Sequence, residues 1–249
     1  MADAAPPLDC LAFDAPVTIH WFLGEAALTT LFERLKETCK ANWQAYIQHD
    51  FVRQLGEGTL AEASFQHYLK QDYLFLLHFS RAYALAIYKS KTLDQMRRSK
   101  AGLDAILDEE TELHVKYCAE WGVTRDELER EPEASATLAY TRYVLERGQA
   151  GDLLDLHAAL APCVVGYAEV ARWLTAQNWV KRDGNPYNSW IETYASADYQ
   201  EVANAEIAFL DELTSQGVSD GRFEELAKTF SAATRLEIGF WEMGLHRLS

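Results

Sequence analysis

The sequence predicts an all-α fold, a globular bundle of helices, on three observations. Helix-capping patterns recur: "TLAE" at 59–62, with Thr59 as N-cap and Glu62 three residues later, then "TRDE" at 124–127 and "DYQE" at 198–201. Glycines at 56, 58, 122, 148 and 184 follow helical runs as stops, since glycine enters the left-handed conformation without penalty. The run 60–90 is apolar nearly all round and unusually long, which reads as a central helix surrounded by others.

Taken in order, residues 1–24 contain three prolines and read as a leader of uncertain order. "VTIHWF" at 17–22 has strand character, but one strand makes no sheet. Helices are expected near 26–47, 60–90, 92–121, 125–148, 152–179, 187–196, 198–216 and 220–247. No linker, repeat or low-complexity tract divides them, so 25–249 reads as a single domain.

Composition excludes several function classes. With 38 acidic against 23 basic residues, the formal charge of −15 makes nucleic acid a poor partner, because affinity for phosphates comes largely from Lys and Arg displacing counterions. "MRRSK" at 96–100 is the one compact basic cluster. No segment reads as an unbroken bilayer-crossing span, and the N-terminus lacks a signal peptide's basic start and apolar stretch. A cytoplasmic chain without a membrane partner is expected. Cysteines 10, 39, 118 and 163 have no C-x-x-C spacing and read as free thiols.

Familiar motifs fall away on inspection. "GEGTLA" at 56–61 has dinucleotide-loop spacing but follows no strand. None of the seven histidines has Glu three residues before it, as a di-iron bundle needs; Glu110 and His114 form an i, i+4 pair that reads as a local hydrogen bond. There is no G-x-S-x-G elbow and no P-loop.

Three residue types stand out of place. On the long helix one stripe reads Phe65, Tyr68, Leu69, Asp72, Phe75, Leu76, Phe79, Tyr83, with a carboxylate among aromatic and aliphatic neighbours. A buried Asp must find hydrogen-bond donors or take up a proton. The last helix repeats the anomaly with Glu237 amid Phe230, Ala233, Phe240 and Trp241. Both acids have a structural reading, bonded to core tyrosines or helix ends, and a functional one, since displaced carboxylates gather at sites. In "ALAPCVVGYAEVARWL", 159–174, the interior Pro162 removes a backbone donor and bends its helix, while Cys163 and Tyr167 share one face. A cysteine on an apolar face is commonly a small buried hydrophobe; the kink and phenol beside it point instead to a pocket. With Tyr140 and Tyr194 on other helices, a pocket of tyrosines, two carboxylates and a thiol suits a flat, nitrogen-bearing ring.

These residues also carry a likeness. "FVRQLGEGTLAEASFQHYLKQDYLFLLHFSRAYA", "DEETELH", "LAPCVVGYAEV", "YNSWIETYASADY" and "EIGFWEM", spread over about 49–245, resemble the TenA/thiaminase II family. The resemblance implies a heme-oxygenase-like multi-helix bundle, a homotetramer, and neither haem, metal nor other cofactor. It implies hydrolysis of an aminopyrimidine in thiamin salvage, either releasing ammonia from 4-amino-5-aminomethyl-2-methylpyrimidine or cleaving thiamin. By motif match it assigns the nucleophile to Cys163, pyrimidine binding to Asp72, site tyrosines to Tyr140, Tyr167 and Tyr194, and acid/base work to Glu237. Phe75 lines the substrate where some relatives have tyrosine, and Asp50 replaces a proline common after the histidine of its loop. Two other classes compete: a regulatory protein of the TenA type, carrying the transcriptional-activator label, and a metal or haem oxidase on the same scaffold.

Overall fold

The computed structural model describes residues 29–249. The leader at 1–24, with its strand-like "VTIHWF", lies outside the described residues. Among the described residues every regular element is helical: α1 (Leu31–Thr38), α2 (Lys40–Ile47), α3 (Asp50–Glu57), α4 (Glu62–Lys89), α5 (Leu93–Asp104), a π-helical turn (Ala105–Glu110), α6 (Thr111–Glu120), α7 (Arg125–Arg130), α8 (Ser135–Ala150), α9 (Leu153–Thr175), α10 (Asn188–Ala195), α11 (Ala197–Leu213) and α12 (Asp220–His246). The expected helix at 26–47 breaks at Cys39, and the one at 125–148 breaks before the α8 start at Ser135. A short helix, α3, occupies a stretch that reads as loop.

Capping places these boundaries. Thr124 and Glu127 form the expected reciprocal box at α7. The other two boxes do not form: α4 starts at Glu62 with Ala61 as N-cap, and Thr59 turns back onto Gln54 and Glu57. At α11 Ser196 caps instead, accepting from the Tyr199 amide at 3.2 Å. The unforeseen box is Asp152 with Asp155 at α9, and Arg222 then clamps both aspartates at 2.7–2.8 Å. That ion cluster ties the start of α12 to the start of α9. Asp50 is the exposed first residue of α3, where a carboxylate suits the positive helix end and a proline is equally tolerated.

Helices α4, α8, α9 and α12 pack on one another at the centre, with α2 against α9 and α12, α10 and α11 against α9, and α5 and α6 against α4. Helix α9 is long and apolar enough to cross a membrane, contrary to the expectation from sequence. It is instead the buried core helix, with 83% of its apolar window inside the protein. It also runs through Pro162 as one continuous helix. Two glycines are required by shape. Gly58 ends α3 at φ 70°, and a Cβ on Gly166 of α9 would lie 2.3 Å from the Tyr46 ring, so the close approach of α2 needs the missing side chain. Gly56 and Gly148, expected as stops, lie inside α3 and α8.

Candidate active site

The central helices leave a cavity of about 420 Å³, within the range that small ligands occupy. Asp72, Phe75 and Phe79 of α4, Glu110 of the π-helical turn, Cys163 and Tyr167 of α9, and Tyr194 of α10 line it. Five of the seven residues expected at the site therefore meet on one cavity: Asp72, Phe75, Cys163, Tyr167 and Tyr194. Tyr140 and Glu237 do not line it. They sit one layer behind, each 1% exposed, with the Tyr140 hydroxyl donating to Glu237 Oε1 at 2.8 Å. Glu237, expected at the site, stands behind the cavity lining, close enough to the Cys163 thiol for the two to influence each other's charge.

Asp72, 4% exposed, has the donors its burial demands. Tyr68, one turn earlier on α4, donates to its Oδ2 at 3.0 Å, and His114 Nε2 lies 2.7 Å from the same oxygen. The Tyr68 hydroxyl is also 3.3 Å from that of Tyr167, which joins α4 to α9. His114 does bond locally, as its spacing from Glu110 suggests, but Nδ1 meets the Glu110 backbone oxygen at 2.8 Å and not the carboxylate. The Glu110 carboxylate accepts from Tyr194 at 3.0 Å.

These surroundings set the protonation states. Burial pushes the Glu237 carboxyl up to about 8, the Tyr140 hydrogen bond pulling it back and the Asp72 charge adding to the rise. It is thus mostly protonated at neutral pH. Burial raises Glu110 above the usual carboxylate range, opposed by His114. The Cys163 thiol is raised well above its ordinary value by burial, then by the charges of Glu237, Glu110 and Asp72. Cys163 is also the partly exposed member of the three described cysteines, Cys39 and Cys118 being buried. The arrangement offers a thiol open to a ligand, a protonated acid beside it, and an acceptor oxygen on the same cavity.

Phe75 stacks in an aromatic group, its ring 5.0 Å from those of Tyr140 and Phe79 and 5.5 Å from Phe240. Sequence reasoning used Glu110, Tyr68 and His114 without placing any of them at the site. Tyr68 had a signal, standing one turn from Asp72 in the same stripe. Glu110 was noticed only for its spacing from His114, because the π-helical turn that sets its direction carries no sequence mark.

Comparison with known proteins agrees with this fold. The profile described as "TENA/THI-4/PQQC family" matches residues 37–247. An "Aminopyrimidine aminohydrolase" from Halalkalibacterium halodurans is 38% identical, the match covering 84% of this chain and 92% of that protein. The crystal structure of a "TenA family transcription regulator" from Silicibacter sp. TM1040 superposes with a TM-score of 0.82 at 43% identity, covering 86% of this chain and 96% of that one. A Shewanella denitrificans domain with "a heme oxygenase-like fold" shares the architecture alone, at a TM-score of 0.68 and 13% identity over 87% and 92% of the two chains. With nearly the whole described chain matched in sequence and in shape, the protein belongs to the TENA/THI-4/PQQC family.

Proposed function

We propose that the chain is a hydrolase of aminopyrimidines in thiamin salvage, converting 4-amino-5-aminomethyl-2-methylpyrimidine and water to the hydroxymethylpyrimidine and ammonia. One observation carries the reading: a partly exposed thiol, Cys163, shares a ring-sized cavity with the Asp72 carboxyl and has the buried Glu237 carboxyl, pushed up to about 8, at its back. The 38% identical aminopyrimidine aminohydrolase supports it.

In this reading the ring lies among Phe75, Tyr167 and Tyr194, and Asp72 accepts from its 4-amino group. Direct displacement of the amine by water is slow, so the thiol divides the step. The Cys163 sulfur bonds to a ring carbon, and the displaced electron pair reaches a ring nitrogen that takes the Glu237 proton. Glu237 accepts the thiol proton in the same exchange, which removes the need for a free thiolate in a site that disfavours one. The ring electrons then expel ammonia from the exocyclic carbon, the alkylamine reacting as its ammonium, and leave a methylene. Water adds to the methylene and releases a proton; the C–S bond then breaks, and the ring N–H proton returns through Glu237 to the sulfur, restoring the ring and the thiol. Tyr140 holds Glu237 in place and limits the rise of its pKa.

Incubating the protein with the aminopyrimidine and with thiamin side by side tests the reading. Ammonia release is expected from the first; a protein that releases neither ammonia nor thiazole rejects it. The relative described as a transcription regulator raises a regulatory reading, but a formal charge of −15 leaves that role to a protein or metabolite and not to direct DNA contact. A salt-dependent gel shift separates the two. A cytoplasmic homotetramer, implied by the resemblance, belongs to the same proposal and is checked by light scattering on the purified protein.

A further inference from the structure

His114 of α6 is 2% exposed and stands between two acceptors. Nδ1 is 2.8 Å from the Glu110 backbone oxygen and Nε2 is 2.7 Å from Asp72 Oδ2. A carbonyl oxygen only accepts, so Nδ1 carries hydrogen. A neutral imidazole protonated there has a bare Nε2, which cannot bond an ionised carboxylate. The pair therefore holds one proton more than a neutral histidine and an ionised aspartate supply. Tyr68 donates to the same Oδ2, so that oxygen is fully engaged. Among the described residues Asp72 Oδ1 makes no hydrogen bond, which leaves it as the atom Asp72 offers to the cavity it lines.

We propose that His114 is a positioning residue: it carries the extra proton as an imidazolium, keeps Asp72 ionised, and so presents the cavity with a single acceptor-only oxygen, Oδ1. This rests on the aminohydrolase reading and deepens it. An acceptor-only oxygen selects a ring with an exocyclic amino donor over one with an oxo group in the same place, because two facing acceptors leave both unpaired. The need for a cation follows from the neighbours. Facing His114 are Asp72 and Tyr68 from α4, Glu110 and its carbonyl from the π-helical turn, and, through Tyr68 and Glu110, Tyr167 from α9 and Tyr194 from α10. None of these brings a positive charge, and a lone carboxylate in such company takes up a proton. Burial works against the imidazolium, but the Asp72 hydrogen bond and charge, with Glu110, raise its pKa overall.

Two measurements test this. In sequentially assigned 15N-histidine spectra of the ligand-free wild-type protein at neutral pH, both His114 ring nitrogens are expected at protonated shifts; one protonated and one bare nitrogen overturns the proposal. His114→Gln keeps a neutral N–H for Asp72 while removing the charge. Its KM for 4-amino-5-aminomethyl-2-methylpyrimidine should rise about tenfold, with kcat falling less. A folded variant with wild-type KM also overturns the proposal, and if the variant does not fold, the wild-type spectrum decides. An imidazolium in a protein that releases no ammonia would sink the aminohydrolase reading and leave the proton assignment standing.

Discussion

Two buried carboxyl groups serve the site, Asp72 on the cavity and Glu237 behind it, and different neighbours surround them. Asp72 has two donors on one oxygen, the Tyr68 hydroxyl at 3.0 Å and His114 at 2.7 Å. Glu237 has the Tyr140 hydroxyl and the thiol, no cation, and a carboxyl pushed up to about 8. Both arise from the same kind of sequence anomaly, an acid in an aromatic stripe. What separates them is the neighbour supplied by another helix: a histidine from α6 for the first, a tyrosine from α8 for the second. One is thereby suited to accept a hydrogen bond from a ligand and the other to give a proton away, the division of labour that paired carboxyls show in many hydrolytic sites.

Substitutions break this contrast in a graded order. Cys163→Ser should leave the fold intact and cut ammonia release by about a thousandfold or more, since the nucleophile is removed and nothing else replaces it; a thermal melt run beside the assay separates loss of chemistry from loss of fold. Glu237→Gln should lower kcat by roughly a hundredfold or more, the usual range for a lost acid. Wild-type activity should also fall as pH rises through about 8, where Glu237 gives up its proton, and the Gln variant should lack that limb. Stability carries the same sign: the folded form favours the neutral acid, so its contribution is present below the ordinary carboxyl range and is lost as pH climbs through about 8. Denaturant midpoints against pH would read it, and the Gln variant should be flatter.

Asp72→Asn should weaken aminopyrimidine binding by about ten- to a hundredfold, the worth of a charged hydrogen bond, as measured by calorimetry with the hydroxymethyl product. If its melting temperature changed and its affinity did not, Asp72 would be structural only. Tyr140→Phe should have the smallest effect: Glu237 loses a donor that favours its ionised form, so the basic limb of the pH profile should move upward by about one unit or less.

The legible parts of this molecule were those where one residue contradicts its own helix. Asp72 and Glu237 announce themselves because a carboxylate in an apolar stripe has to be explained, and Cys163 because a proline and a tyrosine accompany it. Fold class was legible too, since long apolar periodicity outweighs misread caps: Thr59 and Asp198 were wrong as N-caps, yet the helices they were meant to start exist. Partnership between helices was not legible. Nothing in "DEETELH" shows that His114 will reach across to Asp72 of α4, or that a π-helical turn will aim Glu110 at Tyr194. The layering was likewise invisible, because sequence marks Glu237 as buried without saying that it stands behind the cavity lining. Helix α9 shows the same limit from another side: its length and apolarity suit a membrane, and only its neighbours show that it is the core.

The account turns on a single heterocycle meeting Asp72 and Cys163 at once. A crystal structure of Cys163→Ser with 4-amino-5-aminomethyl-2-methylpyrimidine reads this directly. The account predicts the 4-amino nitrogen within hydrogen-bond distance of Asp72 Oδ1, a ring carbon beside the serine oxygen and a ring nitrogen toward Glu237. A ring bound outside this cavity, or turned so that its amino group points away from Asp72, would contradict it.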